Sequence, residues 1–162
     1  MLFQSGALFD SLSVAENVAF PLLEHTALSA REVDEKVRMK LTLVGLEAAG
    51  GKMPSELSGG MRKRVGLARA IALEPEIILY DEPTTGLDPL TTETINQLIL
   101  DMQKRLALTS VIISHDIEST FAVADHVAML HEGKILDQGT PEAFRRSSSP
   151  FTQEFLRKKG GR

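Results

Sequence analysis

EIILYDEPTTGLDP, residues 76–89, sets a short apolar run against an acidic pair and a turn, and VIISHD, residues 111–116, repeats the change from apolar run to polar residues. Ile77, Ile78, Leu79 and Tyr80 make a continuous apolar segment of strand length, the pattern of a strand covered on both faces, and it ends in Asp81-Glu82. Between the two runs Asp88-Pro89 opens a helix, and Ile95, Leu98, Ile99, Met102 and Leu106 then fall on one stripe of it. Strand, helix and strand in alternation predict an α/β fold with a mostly parallel sheet and helices on its faces. In such sheets ligands lie beyond the carboxyl ends of the strands, so the polar residues after Tyr80 and Ile113 stand where chemistry is usually done.

Upstream the character changes. Ser13-Val-Ala-Glu16 and Ser29-Ala-Arg-Glu32 both fit the capping box, in which hydroxyl and carboxylate reciprocally satisfy amides at a helix start. The first helix reaches about Glu24 with Pro21 ending or kinking it; the second carries Val33, Val37, Leu41 and Val44 at helical spacing until Gly45 stops it. Residues 50–55 read as a loop, and Ser58 caps a third helix that runs to Pro75. Downstream, a short helix from Asp116 to Ala124 precedes two strands joined at Glu132-Gly133 as a hairpin. Thr140-Pro141 caps a further helix, and Ser147 to Pro150 leads into a last one with a polar tail from Arg157. The division this suggests is a mainly helical part, 1–75, an α/β part, 76–146, and a terminal helix and tail, 147–162.

The chain has 162 residues, 43% hydrophobic and 25% charged, as an ordinary globular domain does. Lys and Arg total 18 against 22 Asp and Glu, so no whole-chain basic footprint for nucleic acid exists. Cysteine is absent, which excludes disulfides, thiolate metal sites and thiol nucleophiles and suits the cytoplasm. No run approaches the roughly 20 apolar residues of a membrane span, and no basic segment followed by an apolar core opens the chain. A membrane role is therefore expected to come through a partner subunit.

Two local patterns carry chemistry. An apolar strand ending in Asp then Glu is the Walker B arrangement: the first carboxylate holds Mg²⁺ through water, and the second orients or deprotonates an attacking water. Leu57-Ser58-Gly59-Gly60-Met61 brings a hydroxyl, two side-chain-free amides and a helix N-terminus together, where N–H donors and the positive dipole end suit a phosphate. Each has a plainer reading, a capped turn in one case and a Gly-rich helix start in the other. His25, His126 and His131 lack paired ligand spacing and are read as surface or strand residues, and Arg62-Lys63-Arg64 as a solvated helix face.

In combination these residues resemble the ABC ATPase family. Leu57 to Met61 is similar to its signature LSGGQ with Met in the last position, Asp81-Glu82 to Walker B plus the catalytic Glu, and Gly86-Leu87-Asp88 to the D-loop. His115 is similar to the switch histidine and Gln4 to the Q-loop, with order and spacing in register along the chain. The resemblance implies a partial P-loop NTPase (RecA-like) sheet preceded by the family's helical subdomain, with ATP and Mg²⁺ as cofactors. It implies that Asp81 holds the magnesium through water and that Gln4 reaches the metal and the attacking water. Glu82 would be the general base, His115 would meet the γ-phosphate, and Asp88 would couple two sites across a head-to-tail dimer. Ser58, Gly59 and Gly60 would complete the partner's site.

A P-loop needs Gly, four residues, Gly, Lys and Ser or Thr, so that amides and the Lys wrap the phosphates. No such run occurs; Gly51-Lys52 is followed by Met53. In the family that loop lies upstream of the Q-loop. A fragment is expected rather than a degenerate paralogue, because the other catalytic residues are in place, and the isolated chain is expected to hydrolyse no ATP. Exposed sheet edges and apolar faces are expected with it.

Leu2-Phe-Gln-Ser-Gly-Ala-Leu-Phe-Asp10, the run from Glu16 to His25, and Met53-Pro-Ser-Glu-Leu57 are similar to the ATPases of Mce/Mla-type lipid transporters. This implies a second ATPase subunit, a transmembrane permease, an Mce-type lipid-binding protein, and a place on the cytoplasmic face of the inner membrane. Two other classes compete. A soluble ABC ATPase of DNA repair or translation is disfavoured by the acidic charge and by the absence of a coiled-coil or basic insertion, and a non-hydrolytic interaction module by Glu82 and His115.

Overall fold

The computed structural model describes residues 1–4 and 6–159 and divides into two compact units, one over Met1–Ile113 and the other from Ser114 onward.

The first unit begins with three helices, α1 (Val14–His25), α2 (Ala30–Leu43) and α3 (Gly59–Ala70), which pack on one another. Ser13 and Ser29 form full capping boxes with Glu16 and Glu32, as the local pattern requires. Pro21 lies inside α1 without ending it, whereas α2 stops where Gly45 takes a left-handed φ of 64°. α3 ends before the turn 71–73, five residues short of Pro75, and single 3₁₀ turns occupy parts of the expected loop 50–55 and its approach. Helix α4 (Pro89–Leu106) joins the parallel strands β1 (Ile77–Asp81) and β2 (Thr109–Ile113), and Leu2 pairs with the other edge of β1 beside Tyr80. Val14, Val18, Leu22, Val65, Leu67, Ile71, Ile78, Ile95 and Ile99 build the core of this unit.

Two expectations are corrected. Ile77–Tyr80 and Val111–Ile113 are covered on one face only: Ile78 and Tyr80 are buried and Ile112 is partly buried, but Ile77 is 59% and Ile113 65% exposed, with Leu79 and Val111 open beside them. Alternating residues of a strand point to opposite faces, and no described element of this unit covers the second face. Arg62-Lys63-Arg64 is a solvated face only in part: Arg62 is exposed, Arg64 half-buried and Lys63 buried, and all three donate to backbone carbonyls. Arg62 Nη1 donates to Leu57 O at 2.8 Å, Lys63 Nζ to Glu82 O at 2.8 Å, and Arg64 Nη1 to Val44 O at 3.2 Å. Leu57 O and Val44 O lie at turns beside helices, whereas Glu82 O lies just past the end of β1.

The second unit holds α5 (Ile117–Val123), an antiparallel hairpin of β3 (Val127–His131) and β4 (Lys134–Gly139), α6 (Pro141–Arg145) and α7 (Pro150–Lys159). Glu132 and Gly133 both have positive φ, 47° and 75°, which suits a tight two-residue hairpin turn. Among the described residues no helix is long and apolar enough to cross a membrane.

Candidate functional site

Gly60 has no room for a side chain: a Cβ there would lie 2.5 Å from Thr91 Cγ2. Thr91 sits in the first turn of α4, where its N–H and Oγ1 donate to the two oxygens of Asp88 at 3.0 and 2.5 Å. Those bonds, the Oγ1 donor first, hold the Asp88 carboxyl below the usual carboxylate range. The start of α3, with Ser58 and Gly59 exposed and Gly60 buried, thus rests directly on the start of α4 with exposed Asp88. Ser58 Oγ accepts from Met61 N–H at 3.3 Å, and Leu87 lies 3.7 Å from where a Cβ of Gly59 would be. Sequence-distant residues 58–60 and 88 are brought together.

A second group forms at the carboxyl end of β1. Asp81 N–H donates to Leu2 O at 2.9 Å, so the segment leading to exposed Gln4 is fastened beside it. Arg69, its guanidinium pulled below its ordinary value by burial, holds the next stretch through Gly6 O and Ala7 O at 2.9 and 2.8 Å. Buried Asn17 fixes the rest of the loop, accepting from Phe9 N–H and donating to three carbonyls. Gly66 allows that loop to come close: a Cβ would stand 2.9 Å from Leu2 Cδ1 and 3.1 Å from Gly6 O.

Glu82 follows with φ 47°, a left-handed backbone uncommon for a residue bearing a side chain. Its N–H donates to Ile113 O at 2.9 Å, its Oε2 accepts from Thr85 Oγ1 at 2.8 Å, and its carbonyl accepts from Lys63. Lys63 is 5% exposed. Burial pulls its ammonium below its ordinary value, and the carboxylates of Glu82 and Asp81 oppose that. Among the described residues no cluster of three His, Cys, Asp or Glu side chains occurs. A divalent ion here would take one carboxylate plus water and phosphate oxygens, the ligand set that Mg²⁺ prefers.

His115 belongs to the second unit, where it is exposed and adjoins Asp116, the residue that caps α5 through Ser119 N–H at 3.2 Å. Lys63, Thr85, Thr91 and Arg69 escaped the sequence reading. Only Lys63 had a signal: residues 60, 63 and 67 share one face of α3, so a lysine there stands in line with buried Gly60 and Leu67.

A model of the ABC transporter family matches residues 1–85. The intermembrane phospholipid transport system ATP-binding protein MlaF of Escherichia coli K12 is 47% identical over 156 residues, 96% of this chain and 58% of that protein. Its namesake in Haemophilus influenzae is 46% identical, covering 97% of this chain and 60% of the relative. The probable ribonucleotide transport ATP-binding protein mkl of Mycobacterium tuberculosis H37Rv is 45% identical over 96% of this chain and 44% of its own length. The chain therefore spans well under two thirds of these curated relatives. Among solved structures, CbiO1 of Clostridium perfringens, part of an ABC transporter complex, superposes with a TM-score of 0.83 at 33% identity over 97% of this chain and 61% of that one. A dimeric ATP-binding cassette in a post-hydrolysis state with ADP and phosphate gives 0.76 at 33% identity, over 86% and 61%.

Proposed function

Since this chain belongs to the ABC transporter family, we propose that it is the ATP-hydrolysing subunit of a transporter that moves phospholipid or another hydrophobic substrate across the bacterial envelope. The observation that carries the reading is the pairing, inside one unit, of the 58–60 helix start with Asp88 and of Asp81-Glu82 with the same helix through Lys63. In this reading Asp81 holds Mg²⁺ through water, with Gln4 nearby, and the ion neutralises phosphate charge when bound. Glu82 accepts the proton of the attacking water on its carboxylate, which Thr85 orients. His115 meets the γ-phosphate. Ser58, Gly59 and Gly60 offer amides and a hydroxyl to the nucleotide of a second subunit, and Asp88 couples the two sites across the head-to-tail pair.

The names of the E. coli and H. influenzae relatives support phospholipid as cargo; the proposal adds a permease, an Mce-type lipid-binding protein and a peripheral place on the cytoplasmic face of the inner membrane. The mycobacterial relative's name points to ribonucleotide instead. Tagged chain recovered from detergent-solubilised membranes should bring down a polytopic permease and an Mce-type protein; recovery with neither contradicts the transporter role. The purified chain, whose sequence holds no Gly-x₄-Gly-Lys-Ser/Thr run, should turn over no ATP. Turnover by pure protein that Glu82→Gln abolishes would contradict the need for that loop.

A further inference from the structure

Most cations among the described residues lie in solvent, but Lys63 is only 5% exposed and its ammonium donates to a backbone carbonyl. That carbonyl belongs to Glu82, the one residue of the acidic pair with a left-handed backbone. We propose that Lys63 is a positioning residue that holds Glu82 in its working conformation and, through α3, ties the helix start at Ser58–Gly60 to the acidic end of β1. The inference rests on the ATPase reading for its catalytic meaning, while the structural link stands on geometry alone.

The geometry has three parts. A residue with a side chain resists positive φ, so a left-handed Glu82 persists only where its surroundings over-determine it. Here they do: N–H to Ile113 O at 2.9 Å, carbonyl to Lys63 Nζ at 2.8 Å and to Thr85 N–H at 3.3 Å, carboxylate to Thr85 Oγ1 at 2.8 Å. Ile113 and Thr85 are close in space or sequence to β1, but Lys63 comes from a helix 19 positions away and is the charged donor of the set. Gly60 and Lys63 are three residues apart and so lie on one face of α3. A shift of the helix start toward or away from a bound phosphate therefore moves the ammonium, and the ammonium moves the Glu82 peptide. Within one chain, the half-site offered to a partner's nucleotide is mechanically joined to the general base of the chain's own.

The test uses amide hydrogen exchange on the chain itself, read at Glu82 and Thr85 against Ile99 in α4. Lys63→Met, near in volume but without a donor, should speed exchange at Glu82 and Thr85 by about tenfold or more and leave Ile99 within about twofold. Lys63→Arg, which keeps a charged donor, should stay near the parent. A general loss of packing would move all three amides together and would overturn the proposal, as would unchanged exchange at Glu82 in a folded Lys63→Met. Should that variant not fold, Lys63→Leu, also without a donor, takes its place, with faster exchange at Glu82 expected and an unchanged value overturning the link. A second arm reads turnover in the chain fused behind a strand-and-loop segment bearing Gly-x₄-Gly-Lys-Thr. There Lys63→Met should lower kcat by about 10- to 100-fold with KM within about twofold, since misplacing a general base costs rate rather than binding. An inactive fused parent would refute the ATPase reading and leave the exchange arm to decide the Lys63 link.

Discussion

The unit Met1–Ile113 is held by apolar side chains: Val14, Val18, Val65, Leu67, Ile71 and Ile78 are fully buried under three helices and a strand pair. Among the described residues the unit from Ser114 buries fewer apolar side chains, Val123, Met129 and Phe144, and adds ring contacts of Phe121 with Phe144 and of His131 with Phe151 and several polar ties. Asp137 accepts from the hydroxyls of Ser147 and Thr152, Gln153 donates to Arg145 O and Ser147 O, and the Arg145 guanidinium lies 4.4 Å over Phe121. The candidate residues are divided between the two units. Gln4, Ser58 to Gly60, Asp81, Glu82 and Asp88 stand on the apolar-cored unit, and His115 on the polar-tied one. Apolar burial contributes stability at every pH, whereas ties through a carboxylate depend on its charge.

Leu67→Ala should show the largest effect. Removing a fully buried side chain should cost the first unit about 2–5 kcal/mol in denaturant unfolding. A cost below about 1 kcal/mol would mean that the core does not carry that unit. Gly60→Ala should follow at about 1–3 kcal/mol, because its methyl collides with Thr91 Cγ2, and Thr91→Ser should restore most of it in the double variant. Additive losses would dismiss the contact. In the second unit, Asp137→Ala should release Ser147 and Thr152 and speed amide exchange in β4 and α7 while α4 keeps its protection.

The smallest effect expected is that of acid. Hydroxyl bonds, from Ser147 first and Thr152 next, hold the Asp137 carboxyl below the usual range. The folded unit then binds fewer protons than the unfolded chain, so the contribution is complete above the unfolded value of about 3.9 and lost as pH falls through the lower folded one. Exchange protection in β4 and α7 should stay level from about pH 7 to 5 and decline below about 4, before α4 responds. Simultaneous loss in both units would erase the distinction.

What the sequence disclosed and what it withheld divide along the range of the interactions. Helix starts at Ser13, Ser29, Ser58, Asp88 and Thr140 were legible because a cap and its amide are three residues apart. The β1–α4–β2 order followed from periodicity. Lys63 was misread because its acceptor lies 19 residues on, and Arg64 because its acceptor lies 20 back; charge type alone says solvent. The left-handed φ of Glu82 has no residue signal either, since glycine would have been the expected occupant. The open face of Ile77, Leu79, Val111 and Ile113 agrees with the expectation of exposed apolar faces and departs only from the pattern of the runs themselves, because an apolar run states what suits burial and not what supplies it.

The most direct measurement is ATP turnover by the chain fused behind a Gly-x₄-Gly-Lys-Thr segment, with and without Glu82→Gln. Measurable hydrolysis that falls by at least about 100-fold on losing the Glu82 carboxylate is the predicted result. Hydrolysis that continues unchanged in Glu82→Gln would contradict the assignment of the acidic end of β1 as the seat of the chemistry.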